Sequence, residues 1–447
     1  MKNLFLFFAV LFIGTFSTAS AEWFVETVAD YGQTPAISLD GSDLPRIAYG
    51  RYYKVKYSEY NGTTWTTHII YNEYGYDCEY FDIVTDESGL SHVSFTQSSI
   101  LYYSAEGASP DTWETDQLFP GTGGARWNSL GLSEQSFPGV SYHSMSANDL
   151  RYIFWDGSQW NYEFVDPEGN AGYNNSIVLE GENAAHIAYS TDSPTYGLKY
   201  AYRNGADDWI RSFVDSSMTS EPVGISIVLD GDGYPRISYN TSDELRYSAW
   251  NGSSWDTETV YSNDLMDTGA NEYGTSLALF QNEYPHIVHC SLDADSLLYS
   301  WNDGTSWQTE SIYPLGSTHF GDPDLAIDSQ GRPHIAFFAG DLMYAYNDNA
   351  LLVENNQLAI EQIEFNPLCN PFSEQLSLTF NLQQESFVEL TVYDLQGREV
   401  SKLYSEFAPA GNTLVNWTPE NSVPTGEYIV SLETRGTTIS RKVVFLQ

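Results

Sequence analysis

Six aromatic residues occupy nearly corresponding places along this chain: Tyr31, Tyr80, Trp127, Tyr173, Tyr273 and Phe320. Each stands shortly before an apolar stretch rich in small residues. At the one remaining corresponding place the chain has Val223. An aromatic face can stack on a sugar ring while neighbouring acids and amides bond the hydroxyls. The same rings could instead simply plug or rim a channel. Several of the surrounding segments are long and irregular, among them "YNEYGYDCEYFD", "FPGTGGARWN" and "YPLGSTHFGD". Irregular loops on a rigid scaffold are where function usually sits. They add Tyr76, Arg126 and His319 to the candidate ligand-binding residues.

A second group consists of Arg46, His92, His186, Arg236, His286 and His334, with Gly139 at the matching seventh place. Four histidines suggest a metal site. Equivalent positions of a repeat, however, should lie on the order of 10 Å apart, whereas zinc ligands sit about 2 Å from the metal. Residues recurring at a repeat position read better as local hydrogen-bonding partners. His143, His289 and His319 fall outside that position and are the stronger histidine candidates for function.

Catalytic signatures are not found: there is no Gly-x-Ser-x-Gly, no His-Glu-x-x-His and no glycine-rich phosphate loop. An arginine cluster for a substrate carboxylate would have to draw on Arg126 and Arg203, read here as lying in loops. The pairs Asp230/Asp232 and Asp293/Asp295 offer carboxylates to calcium, but the spacing lacks a full set of oxygen ligands. No other cofactor is indicated.

The elements that would position these residues form a repeat of about 45–50 residues. A clear copy is "ISIVLDGDGYPRISYNTSDELRYSAWNGSSWDTETV", Ile225 to Val260. It reads as four short strands. The second strand carries Ile47, Val93, Val140, Ile187, Ile237, Ile287 and Ile335. Ten residues before each lies Ile37, Ile83, Leu130, Ile177, Ile227, Leu277 or Leu325. A constant offset implies a hairpin of constant length, with Gly89, Asn183, Gly233 and Gly331 at turn positions that tolerate positive φ. The third strand carries Tyr57, Tyr103, Tyr152, Tyr200, Tyr247, Tyr299 and Tyr344. Asn-Gly or Asp-Gly follows most of them, as hairpin turns require.

The fourth strand opens at Trp65, Trp113, Trp160, Trp209, Trp255 and Trp307, which is one copy too few. "EWFVETV", Glu22 to Val28, supplies the missing strand from the N-terminus. The expected fold is all-β: a seven-bladed β-propeller over 22–349, closed by this N-terminal clasp strand. Gly331-Arg332-Pro333-His334-Ile335-Ala336-Phe337 resembles the Pro-His-Ile-Ala-Tyr repeats of secreted bacterial propellers, loosely grouped with sialidase-like propellers. Such a scaffold implies a fold and hardly an activity.

Residues 1–21 read as a signal peptide: Lys2, an apolar run from Leu4 to Phe16, and Ala19-Ser20-Ala21 for cleavage. No later stretch is long and apolar enough to span a membrane. The formal charge is −42, which repels nucleic acid and anionic membranes. Tyrosine (33) and tryptophan (12) are too abundant for a disordered chain. Three cysteines, Cys78, Cys290 and Cys369, allow at most one disulfide and leave at least one thiol free.

After a linker, 350–360, residues 361–447 alternate with period two and carry turn residues, which indicates a small Ig-like β-sandwich. Asn370-Pro371-Phe372, Val388 to Val400, Gly426-Glu427-Tyr428-Ile429-Val430 and Lys442-Val443-Val444 resemble the C-terminal sorting domain of type IX secretion substrates. The family often opens with Tyr-Pro-Asn-Pro; here Pro367-Leu368-Cys369 precedes Asn370-Pro371. The resemblance implies the type IX machinery as a partner and an extracellular or outer-membrane-surface location in a Gram-negative bacterium. The expectation for function is a non-catalytic propeller that binds glycan or a surface protein. The alternatives are a polysaccharide lyase or glycosidase on the same scaffold, and a structural member of a surface assembly.

Overall fold

The computed structural model describes residues 23–446 apart from 110–111, 119–123, 169, 183, 193, 205–207, 263–273, 282, 292–293, 315–322, 348–365, 368–369, 383–385, 395–397, 410, 420–422 and 435–436. The proposed signal segment lies outside the described residues.

The described residues of 23–347 form seven four-stranded antiparallel sheets, or blades. Blade 1 runs through Gln33–Leu39, Pro45–Arg51, Lys54–Tyr60 and Trp65–Asn72. Blades 2 to 6 repeat this order within 78–117, 125–166, 171–215, 223–262 and 275–314. Blade 7 takes three strands from 324–347 and its fourth from Trp23–Ala29, which pairs antiparallel with Leu342–Asn347. In each blade the ten-residue offset of the sequence is a direct cross-strand pair: Ile37 faces Ile47, Ile83 faces Val93, and so on to Leu325 and Ile335. The second-strand member of every pair is fully buried.

The first strand of each blade packs against the first strands of both neighbours, and blade 7 thereby meets blade 1. The residue before each first-strand core position is small or acidic: Ala36, Asp82, Ser129, Ser176, Ser226, Ser276 and Asp324. Asp82 accepts the Leu130 amide (2.8 Å), Ser129 that of Ile177 (3.2 Å) and Ser176 that of Ile227 (3.2 Å). Ser226 accepts from Leu277 (3.1 Å), Ser276 from Leu325 (3.1 Å) and Asp324 from Ile37 (2.7 Å). Ala36 has no acceptor to offer, and the Ile83 amide turns to its own neighbour Asp82 (2.8 Å). These bonds satisfy backbone donors that adjacent blades would otherwise leave unpaired in the interior.

Farther out, each fourth-strand tryptophan meets a third-strand tyrosine of the adjoining blade edge to face. Trp113 lies 5.0 Å from Tyr57, Trp160 5.3 Å from Tyr103, and Trp255 5.4 Å from Tyr200. The clasp takes part on the same terms: Trp23 lies 5.2 Å from Tyr299, and Trp65 of blade 1 lies 5.1 Å from Tyr344 of blade 7. The first-to-second turns hold positive φ not only at Gly89, Gly233 and Gly331 but also at Asp43 and Ser136. Asn183 lies outside the described residues.

The recurring histidines and arginines are local partners. Nδ1 of His92, His186, His286 and His334 meets the hydroxyl of Tyr103, Tyr200, Tyr299 and Tyr344 at 2.5–2.6 Å. Asp230 is likewise spent on its own turn, accepting from Asp232 and Tyr234 and pairing with Arg236. Cys78 and Cys290 are buried in separate core clusters and form no disulfide with each other; Cys369 lies outside the described residues.

In the C-terminal region a sheet that includes Leu376–Leu382 and Gly411–Trp417 shares one core with a four-stranded sheet from 386–445. Leu376, Leu378, Phe380, Val388, Leu390 and Val392 are all fully buried there, the outcome of period-two alternation on facing sheets.

Candidate functional site

Two of the aromatic candidates, Tyr80 and Trp127, sit where the first strands bulge. Register slips between Glu79 and Asp82 in blade 2 and between Arg126 and Ser129 in blade 3. Tyr80 and Trp127 occupy the bulge with φ of 56° and 49°. Blade 5 has Gly224 there, also at positive φ. The left-handed conformation is easy for glycine and costs a bulky side chain about 1–2 kcal/mol. Two aromatic residues therefore hold a conformation that their own sterics oppose, a pattern that clusters at functional positions.

The bulges gather four rings from three blades. Tyr80 and Trp127 are 5.8 Å apart, and Trp127 meets Tyr173 edge-on at 5.1 Å. His143, on the second strand of blade 3, stacks on Tyr173 at 4.2 Å and lies 5.4 Å from Trp127. Arg126 is the cross-strand neighbour of His143. His143 is buried, and neither of its ring nitrogens has a hydrogen-bonding partner among the described residues. Among the described residues the Trp127 indole N–H and the Asn128 side-chain oxygen are unpartnered as well. Burial lowers the His143 pKa to about 4; Asp149 opposes the shift and Arg126 adds to it. The imidazole is thus neutral near pH 7 and offers one donor and one acceptor. Unpaired buried polar atoms are costly, and a group of them calls for an explanation.

The remaining candidates divide. Tyr31 belongs to a separate group with Tyr52 (6.0 Å) and Phe338 (5.5 Å). Tyr76 is largely exposed, and its neighbour Tyr74 even more so. Gln97 fixes that link by donating to the carbonyls of Glu73 (2.9 Å) and Tyr76 (3.2 Å). Tyr273, His319 and Phe320 lie outside the described residues. His289 is a core residue: it is fully buried, 3.0 Å from the Ser300 hydroxyl. Arg126 and Arg203 lie in strands rather than loops. Arg203 does not join Arg126 in an arginine cluster; it is buried and forms a two-pronged pair with Glu163 (2.9 and 2.8 Å).

Sequence reasoning missed Asp82 and Asp324, the two acids of the inner ring. Burial pushes the Asp82 carboxyl up to about 7, against the pull of its bonds to Leu130 and Ser129, and Asp324 raises it further. Burial raises Asp324 too. An acid where sibling blades carry serine was the signal that could have found them.

Residues 369–446 match the model of the secretion system C-terminal sorting domain. That domain directs the protein through the type IX system to the cell surface or the exterior. No helix among the described residues is long and apolar enough to cross a membrane. No curated protein matches the chain. Among solved structures, a fungal alcohol oxidase of the AA5 family with copper is similar at 11% identity, covering 96% of this chain and 100% of its own, with a TM-score of 0.49. The BP39L lectin from Burkholderia pseudomallei is similar at 11% identity, 70% and 97% coverage and a TM-score of 0.48. The polysaccharide lyase Uly1 is similar at 10% identity, 72% and 90% coverage and a TM-score of 0.44. Their activities differ from one another, and likeness at this level selects none of them.

Proposed function

We propose that this protein is an exported seven-bladed β-propeller, 22–349, that binds glycan without catalysis. A signal peptide over 1–21 starts the export, and an Ig-like sorting domain over 361–447 completes it. The ligand site lies on the face of the blade-to-blade links, centred on Trp127. The observation that carries this reading is the cluster of Tyr80, Trp127, His143 and Tyr173. It gathers aromatic faces, which stack on sugar rings, beside the Arg126 guanidinium, which can bond hydroxyls. The reading requires no cofactor. It is tested by screening the purified protein on arrayed cell-envelope and host polysaccharides. Binding that survives Trp127→Ala unchanged would remove the site.

A second reading, a polysaccharide lyase, draws on the contact of His143 with Tyr173 beside Arg126. Imidazole, phenol and guanidinium could serve as base, acid and carboxylate clamp. The burial of His143 disfavours it, because a base must reach the proton it removes. New unsaturated uronate absorbance on incubation with anionic polysaccharides would establish the lyase and displace the binding reading.

A further inference from the structure

The opposite face carries the short, regular turns, and in one place its pattern breaks. In six blades an arginine or histidine precedes the second-strand core residue. It fills the space beneath the first-to-second turn, next to a third-strand tyrosine. In five of the six it also reaches an acid at the start of that turn, as in Arg46 to Asp40 at 2.7 Å, His92 to Asp86 at 3.5 Å and His186 to Glu180 at 3.3 Å; blade 6 has Phe280 there and keeps only His286. Blade 3 lacks both partners, with Gly139 for the base and Ser133 for the acid. Tyr152 leans over Gly139 so closely that a Cβ there would lie 2.4 Å from its hydroxyl. That hydroxyl has no hydrogen-bonding partner among the described residues.

Tyr152, which occupies the space a side chain at 139 would take, lines a cavity of about 270 Å³ between blades 3 and 4. Phe137, Phe154 and Trp155 give it aromatic walls, and Tyr152, Gln135 and Arg203 give it polar groups. The turns on either side are tied together by the Glu134 amide bonding the Gly181 carbonyl at 3.0 Å, so the rim is held by backbone. Arg203 is held rigidly: Glu163 pairs with it and the Phe154 ring lies 4.8 Å beneath it. Because Glu163 neutralises Arg203, and Asp156 and Glu182 add negative charge at the wall, the cavity is unsuited to an anion. Rigid aromatic walls with hydroxyl, amide and guanidinium donors match a neutral polyhydroxylated ring.

We infer that this cleft is a second, independent binding site that takes one neutral sugar residue, and that Gly139 shapes it by letting Tyr152 lie where it forms part of the wall. The site does not depend on the Trp127 cluster, which lies on the other face. The test uses the full chain with 5-fluorotryptophan, following the Trp155 resonance by fluorine NMR. The probes are the methyl glycosides of glucose, galactose, mannose and N-acetylglucosamine, with methyl glucuronide as the anionic control. At least one neutral glycoside shifts the Trp155 signal saturably, in the parent and in Trp127→Ala alike. Gly139→His, which restores the side chain of the sibling blades, abolishes the shift. Phe137→Ala sits in the exposed turn and weakens binding about tenfold even if Gly139→His folds poorly. No saturable shift with any neutral glycoside, a preference for the glucuronide, or undiminished binding by Phe137→Ala would each overturn the inference.

Discussion

Asp324 of the seventh blade accepts the amide of Ile37 in the first at 2.7 Å, across 287 residues of chain. The same carboxylate accepts the Ser276 hydroxyl at 2.6 Å on its other side. One side chain therefore joins three consecutive blades at the seam where the two ends of the repeat meet. Its counterpart Asp82 stands one blade beyond Ala36, and the charge of Asp324 adds to the cost of ionising Asp82.

That coupling gives a pH signature. The Asp82 pKa is raised from its ordinary 3.8 to about 7 by burial. Between those values the folded state binds more protons than the unfolded one, so this group's contribution makes stability fall as pH rises from about 4 to 7. Asp82→Asn can still accept from Leu130 and Ser129 through its amide oxygen. Denaturant midpoints measured across this window should show a flatter pH profile for Asp82→Asn than for the parent. Identical slopes would mean that Asp82 ionises normally.

The clasp predicts a large loss of stability. Trp23 and Val25 pack in one core cluster, and Val28 packs in the next. Trp23 also donates to Glu310 of blade 6 (2.8 Å), and Glu26 accepts from Trp65 of blade 1 (2.8 Å). Deleting residues 22–29 exposes the edge at Leu342–Asn347 and severs both neighbours. The truncated protein should aggregate or melt without cooperativity by calorimetry, and Trp23→Ala alone should cost about 2 kcal/mol. A truncated chain that melts like the parent would disprove the closure.

The bulge at Trp127 separates binding from stability. Trp127→Gly removes the ring and relieves the positive φ, whereas Trp127→Ala removes the ring and keeps the unfavourable conformation. The glycine variant should be the more stable by about 1 kcal/mol in urea titrations, and both should lose glycan binding equally. A glycine variant less stable than the alanine variant would show that the bulge carries no strain.

Removal of 361–447 addresses delivery. The sorting region has its own core, with Phe380, Leu390 and Val430 fully buried within it. The propeller melt should persist after deletion, while the protein accumulates in the periplasm of a host with a type IX system. Fractionation and immunoblotting read the outcome; surface delivery of the truncated chain would assign the export signal elsewhere.

The sequence by itself determined the blades. A core pair ten residues apart must face each other once a tight turn joins the strands, so the pairing of Ile37 with Ile47 follows from the sequence alone. The extra strand at Trp23 was legible for the same reason, because an unpaired edge at the other end of the repeat required it. The recurring histidines were also readable as local, since one repeat position cannot converge on one metal. The tertiary structure decided what the repeat leaves free. Trp127, His143 and Tyr173 meet only because bulges in neighbouring first strands turn their backbones, and a bulge depends on the packing of the blade beside it. Arg203 looked available and proved to be paired, because its partner Glu163 comes from another blade. The pKa of Asp82 is set by burial and by Asp324, neither of which is written in the residues around it. Local sequence fixes pairings a turn can enforce; contacts across blades, and the charges they bury, follow from how the whole ring closes.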